Sequence, residues 1–484
     1  MDCESNLKVA LVVPKINLSL CNSAPPLGLG YIASYLRKTL PSVEIRIFDG
    51  ATGEDAEKAI REFQPQIVGV TATTPQAPAA YRLADTVRQN WPNILMVMGG
   101  VHATVLPQEA LEHFDIVVVG EGEKTFSQIV QRFLQDKLPQ KGVVEGEPID
   151  NLDDIPSPSF DLLNVRWYLQ RGLVLPGTRT PMFGLVTSRG CPYHCAFCYN
   201  SYRKTKVRYF SARRIVEEIL FLRKEYGISS VFFNDDEFLI NNQRIKTLAE
   251  LFEETGISKW LKWGCQARAT TITAPLLKTI KSMGCVALSV GFESGTERLL
   301  HYLKSGSATL ASNERALDIA DSFGILMGGS FIFGTPTETL EEMKYTFEWV
   351  VNHPKLKFYY TLILAPFPGT KVWNLCMERG ALPEKVNYEM LTPDINSSLV
   401  EENMYPVPSV PLKTFVRFMR DINRASWFIN EVRLKPAILR FVFFLGFPTS
   451  WKVFASHPQV IVKEFTYVVK AQIMHRKTAI NQVV

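Results

Sequence analysis

Ser188-Arg189-Gly190-Cys191-Pro192-Tyr193-His194-Cys195-Ala196-Phe197-Cys198-Tyr199 sets three cysteines at the spacing C-x3-C-x2-C. They follow directly on an apolar run, Phe183–Ser188, that reads as a strand. On a loop held by a strand end, three thiolates can each grip one iron of a cube. Iron–sulfur clusters are usually held by four cysteine thiolates. Here the local fourth is missing, which leaves one iron open to a substrate, an arrangement for catalysis more than for carrying electrons. The competing readings are a zinc site and three inert buried thiols. Structural zinc wants four protein ligands, and His194 stands between two of the cysteines, poorly placed to join them.

Downstream of the cysteines, strand-like and helical patterns alternate. The strands are Phe183–Ser188, Ser229–Asn234, Trp260–Arg268, Cys285–Phe292, Ile325–Phe333 and Lys357–Ala365, with amphipathic stretches between them. Six strand–helix repeats in about 190 residues predict a partial parallel (βα)6 barrel instead of a full eight-fold one. Upstream, apolar β-branched runs (Lys8–Val13, Val43–Asp49, Ile67–Thr71, Ile94–Gly100, Phe114–Gly120) alternate with helical segments. That pattern predicts an α/β, Rossmann-like, doubly wound parallel sheet buried on both faces. The expected domains are residues 1–140 for this sheet, a Pro-, Ser- and Asp-rich linker over 141–176, the barrel over 177–400, and a helical extension over 401–484. Within the extension, Ala437–Phe454 is apolar and aromatic but shorter than a membrane span and interrupted by Arg440 and Pro448. It reads as a helix covering the barrel or as an interfacial segment giving peripheral membrane contact.

Composition narrows the class. A chain of 484 residues with 46% hydrophobic and 21% charged residues is globular and too long for one core. Its net charge of +5 is scattered, which argues against nucleic-acid binding. The start, Met-Asp-Cys-Glu-Ser-Asn, has no secretory signal, and the eight cysteines do not form a disulfide framework, so a reducing cytoplasm is expected.

C-x3-C-x-Phe-C after the first strand of a six-fold βα barrel resembles the radical S-adenosylmethionine superfamily. The resemblance implies a [4Fe–4S] cluster on Cys191, Cys195 and Cys198 whose open iron is chelated by the amino and carboxylate groups of S-adenosylmethionine. It also implies an electron donor such as flavodoxin or ferredoxin, and reductive cleavage to a 5′-deoxyadenosyl radical that strips hydrogen from the substrate. Asp235, Asp236 and Glu237 end the second strand, where carboxylates of a barrel read as site residues; the resemblance puts them near the methionine ammonium. Gln266 and Arg268 close the third strand, with Arg268 facing a ligand or pairing with Asp235 or Asp236. Gly291-Phe292-Glu293-Ser294-Gly295 is similar to the family's Gly-x-Glu-Ser-Gly, in which Glu293 and Ser294 would approach the cofactor. Gly334-Thr335-Pro336-Thr337-Glu338 resembles the adenine-side motif or is a helix cap. Pro366-Phe367-Pro368-Gly369-Thr370 matches a turn of one branch of the superfamily.

The first domain looks like the cobalamin-binding module fused to many such enzymes. Its strand ends carry Thr71, Thr73, Gly99, Gly100, Gly120 and Glu121, where a ligand of a parallel sheet sits. One departure matters: Asp49-Gly50-Ala51-Thr52-Gly53 has Ala51 where the mutases' Asp-x-His-x-x-Gly motif supplies a cobalt-ligating histidine. His102 is expected to cap a helix or touch the corrin. Together the two cofactors imply methylation of an unactivated carbon in a small, lipid-like or tetrapyrrole substrate. The alternatives are a radical cyclisation or rearrangement without methyl transfer, and a non-catalytic corrinoid or cluster sensor.

Overall fold

The computed structural model describes residues 7–15, 25–137, 140–200, 206–391 and 409–434. The apolar stretch Ala437–Phe454 lies outside the described residues. Among them, no helix is long and apolar enough to cross a membrane.

The first sheet contains β1 (Lys8–Val13), β2 (Glu44–Asp49), β3 (Ile67–Thr71), β4 (Leu95–Gly99), β5 (Ile116–Val119) and β6 (Gly142–Glu145). All are parallel, in the order β2-β1-β3-β4-β5-β6. β3 and β5 are β-branched runs buried along nearly their whole length, as a strand with helices on both faces must be. The chain winds one way from β1 to β2 and the other way from β3 onward. A crevice therefore opens at the carboxyl ends of β1 and β3, the switch point where such sheets bind ligands.

β6 places the sheet's edge beyond the boundary expected at residue 140. The following segment, which has no periodicity, is ordered by turn chemistry: Asn151 caps a 3-10 turn, and the helix Val165–Arg171 sends Tyr168 Oη to Asp49 Oδ2 at 2.5 Å. Short capped turns leave no helical or alternating stripe, so a pattern reading takes them for linker.

The second sheet contains β7 (Phe183–Leu185), β10 (Ser230–Phe233), β11 (Lys262–Ala267), β12 (Cys285–Glu293), β13 (Leu326–Phe333) and β14 (Leu356–Ile363), all parallel in that order. Between β7 and β10 a small antiparallel hairpin, β8 (Ser188–Arg189) with β9 (Arg208–Tyr209), brackets the cysteines. Capped helices space the strands. Ser211 caps Ala212–Tyr226, which ends on Gly227 at φ 71°, and capping boxes start Leu310–Ser322 and Leu340–Asn352.

Side chains alternate across each strand. Trp263, Phe292, Phe331 and Tyr359 turn outward, the last three clustering with Trp349 of the helix layer. Their alternates Gly264, Gln266, Ser289, Gly291, Gly328, Ser330, Phe358 and Tyr360 therefore line the inside. At the amino end of the strands this interior is stoppered by a buried apolar cluster of Leu175, Met182, Phe232 and Ala287. The free edge of β14 is covered by the helix Leu412–Leu434. Asn430 donates to the Tyr359 carbonyl at 2.7 Å and accepts from its amide at 2.8 Å, standing in for a neighbouring strand.

Candidate active site

Gly190, at φ 91°, turns the chain out of β8 into the cysteine loop. The loop is stitched to the barrel from two sides: Ala196 donates its amide to the Leu303 carbonyl at 2.9 Å and accepts from the Val372 amide at 3.1 Å. Cys195 is buried, while Cys191 and Cys198 are half-buried. Burial pushes the Cys191 thiol up. It lifts Cys198 to about 11, against the pull of a backbone bond from Asn200, with Cys195, Asp236 and Cys191 adding to the rise. A lone thiolate is disfavoured here, whereas thiolates neutralised by bound metal are not.

Among the described residues, no three His, Cys, Asp or Glu side chains gather closely enough to hold one metal ion. A single zinc would need its ligands about 2.0–2.3 Å from one point. Three cysteines on one loop, each felt by the others, are the donor set that a cube gripped at separate corners needs.

The acidic run after β10 divides its work. Asp235 turns back into the protein, accepting from the Thr187 amide at 2.5 Å, Thr187 Oγ1 at 2.6 Å and Ser188 Oγ at 2.6 Å, with Arg244 at 3.7 Å. It locks the strand that launches the cysteine loop and leaves no oxygen facing the site. Asp236 lies on the cavity wall, its carboxyl raised by burial and eased by Asn200. Glu237 is pushed up to about 7 by burial, opposed by the Thr271 hydrogen bond and Arg268. Arg268 does not pair with Asp235. Its guanidinium lies 3.9 Å from the Tyr193 ring centroid, reaches Cys195 Sγ at 3.7 Å and donates to Ser307. The sequence could not foresee this, because the partners lie on the cysteine loop and beyond β12.

Glu293 ends β12 at φ 59°, a left-handed conformation that an L-residue holds only where its surroundings insist. Its carboxylate meets Lys304 Nζ at 2.7 Å, both nearly buried. A Cβ at Gly291 would run into that carboxylate and the Lys304 ammonium, so a larger residue there would have to displace the pair. Ser294 is turned into the helix layer against Thr296 and Thr346. Gln266 faces the barrel interior, exposed. Glu338 accepts from the Gly334 and Thr335 amides at 2.7 and 3.0 Å and so closes its own turn, while the helix that follows is capped by Thr339 and Glu342. Thr370 caps the helix after the second proline-bearing turn through the Trp373 amide.

A cavity of about 510 Å³ opens between the two sheets. The first domain contributes Thr71, Gly99, Gly100, Gly120 and Glu121, and the barrel contributes Ser188, Arg189, Gly190, Asn234 and Asp236. Gly100 combines φ 91° with a backbone so close to Thr71 that a Cβ would sit 2.5 Å from its hydroxyl. Bare backbone at this strand end, with apolar Leu11, Val97 and Phe126 beneath, fits the broad face of a corrin. Thr73 is engaged with Gln76 in a turn away from the wall. Ala51 sits in a 3-10 turn whose Asp49 is held by Tyr168, so this loop offers no imidazole to cobalt. His102 neither caps nor faces the cavity: it is fully buried, 2.7 Å from Tyr81 Oη. Pattern reading missed Arg189, Arg208, Arg244 and Lys304, isolated cations that carry no motif.

A sheet of one type and a barrel of the other, both opening on one cavity, define an enzyme that handles two cofactors together. The comparisons agree. Residues 15–130 match the B12 binding domain family and residues 185–350 the Radical SAM superfamily. An uncharacterized methyltransferase of Pyrococcus horikoshii is 34% identical over 78% of this chain and 84% of its own. The anaerobic magnesium-protoporphyrin IX monomethyl ester cyclase of Cereibacter sphaeroides is 26% identical over 77% of this chain and 64% of its own. Among solved structures, apo OxsB, a cobalamin-dependent S-adenosylmethionine radical enzyme, superposes with a TM-score of 0.66 at 16% identity, over 99% of this chain and 81% of that one. TsrM from Kitasatospora setae, a radical S-adenosylmethionine methyltransferase, superposes with a TM-score of 0.62 at 18% identity, over 77% of this chain and 76% of that one. The chain belongs to the cobalamin-dependent radical S-adenosylmethionine enzymes. Its cofactors are a [4Fe–4S] cluster, S-adenosylmethionine and cobalamin.

Proposed function

We propose that the protein transfers a methyl group from S-adenosylmethionine to an unactivated carbon of a small, lipid-like or tetrapyrrole substrate. The observation that carries this reading is the single cavity walled by the carboxyl ends of both sheets. Methyl carrier and radical source must act on one substrate carbon, and holding reactants together is what makes such a step feasible. When bound, the cluster and S-adenosylmethionine supply hydrogen abstraction, and cobalamin supplies the methyl group. The chain's own residues bind, orient and shield. Cys191, Cys195 and Cys198 hold the cluster, and Arg268 braces their loop through Tyr193 and Cys195. Lys304 fixes Glu293 at the rim of the barrel. Asp236 and Asn234 offer polar atoms on the wall, while Leu11, Val97, Val118 and Phe126 keep the floor dry. A small electron carrier of the flavodoxin or ferredoxin type delivers the reducing electron.

The relative named a methyltransferase supports this reading, as does the hopanoid C-3 methylase of Methylococcus capsulatus, 28% identical over 72% of this chain and 68% of its own. The likeness to the cyclase favours a second reading, ring closure without methyl transfer. Anaerobic turnover of the reconstituted enzyme with dithionite, methyl-deuterated S-adenosylmethionine and a small-molecule cell extract separates the two. Methyl transfer yields S-adenosylhomocysteine and 5′-deoxyadenosine in equal amounts and a product carrying the label. Deoxyadenosine with an unlabelled product replaces the first reading by the second.

A further inference from the structure

One part-buried ionic knot joins the two walls of the cavity. Arg189 donates to Glu121 Oε2 at 3.0 Å and to Glu123 Oε1 at 2.5 Å. Arg208, opposite it on the β8–β9 hairpin, donates to the same Glu121 and to the Ile149 carbonyl at 2.5 Å. Side-chain exposure is 19% for Arg189, 12% for Arg208, 23% for Glu121 and 6% for Glu123, so salt screens the knot poorly. Two cations balance two anions, and loss of one would leave a largely desolvated charge unpaired. Tyr31 adds an aromatic seat: its ring lies 5.5 Å from the Arg189 guanidinium and stacks on Phe210 at 5.6 Å.

The position of this knot is more telling than its strength. Arg189 ends β8, two residues before Cys191. Glu121 lies in the turn after β5, where Gly120 takes φ 96°, and Glu123 opens the helix Glu123–Leu134 that follows. Arg189, Glu121 and Glu123 all line the cavity. The same guanidinium therefore grips the loop carrying the cluster ligands and the turn on the corrin side.

We propose that Arg189 is a positioning residue that sets the separation and orientation of the cluster loop relative to the corrin-bearing sheet. The proposal rests on the two cofactors alone and is independent of methyl transfer and of the substrate. A misplacement of about 1 Å costs a reaction on the order of 100-fold in rate, so two centres on separate sheets need such a spacer.

The test needs no substrate. Full-length enzyme, reconstituted anaerobically with iron and sulfide and loaded with hydroxocobalamin, is reduced with dithionite to hold two paramagnetic centres, the cluster and cob(II)alamin. Their magnetic interaction falls steeply with distance, so pulsed EPR of the cobalt signal reads the geometry. The wild type gives one well-defined interaction. Arg189→Ala keeps its iron and corrin content but gives a weaker interaction with a broad spread, Arg189→Lys falls between, and Glu121→Gln repeats the effect from the other wall. An unchanged interaction in Glu121→Gln and Arg189→Ala, with both cofactors bound, overturns the proposal. So does loss of corrin with the interaction intact in the molecules that retain it, because the knot would then be part of the binding site and not a spacer. Should Arg189→Ala fail to fold, the shape-preserving Glu121→Gln decides alone.

Discussion

Lys304 and Glu293 form a nearly buried pair at the end of β12, 2.7 Å apart, and the glutamate holds a left-handed backbone angle to do so. Lys304→Ala would strand that carboxylate without its cation, a change expected to cost about 3–5 kcal/mol. Denaturant unfolding of the apoprotein measures it, and a midpoint within error of wild type would show that the pair carries no stability. Glu338 offers a test by pH. Burial lifts its carboxyl to about 8 in spite of two backbone donors. The folded state thus holds a proton that the unfolded state has already released above the ordinary glutamate range. Stability from this group is present in acid and fades as pH rises toward 8. Glu338→Gln, which keeps an oxygen for the Gly334 and Thr335 amides, should flatten the fall in melting temperature between pH 5 and pH 8. An unaltered slope would place the titration elsewhere. At this scale the sequence was legible where chemistry demands a fixed spacing. The cysteines announce themselves, and so does the acidic run, although Asp235 serves the strand beneath the loop and not the ligand. Isolated cations such as Arg189 and Lys304 have no signature, because what defines them is a partner on another element, 68 residues away for Arg189 and beyond a strand end for Lys304.

Strands and helices were largely readable from periodicity. Both parallel sheets emerge because β-branched runs buried on two faces look unlike anything else in the chain. Two elements escaped for the same reason. β6 has four residues, and the β8–β9 hairpin has two per strand, too short for any period to show. The edge of β14 shows what one side chain does for an element. Asn430 satisfies both backbone groups of Tyr359. Asn430→Ala should remove about 1–3 kcal/mol by taking away both of these bonds. It should also expose an edge open to pairing between molecules. Thermal unfolding together with sedimentation velocity reports both effects, and a monodisperse variant of wild-type stability would contradict the assignment.

The whole molecule is held together at more than one place. Besides the arginine–glutamate knot beside the cavity, the chain returns from the barrel to the first domain. There Tyr388 donates to Glu109 at 2.7 Å and Glu389 pairs with Arg82 at 2.9 Å. Tyr388→Phe removes one hydrogen bond to a carboxylate that His102 and Tyr81 also approach. It should cost about 1.5–3 kcal/mol, seen as faster hydrogen exchange in the helix Pro107–His113; unchanged exchange there would show the clasp to be idle. None of this was visible in the sequence, since contacts between domains follow from how finished sheets dock. The stopper of Leu175, Met182, Phe232 and Ala287 has a consequence of its own. A barrel closed below is a cup and not a pipe: no product can be handed through its base to a second protein waiting on the far side. Whatever reacts inside must depart past the rim, by the same face that the first domain overlooks.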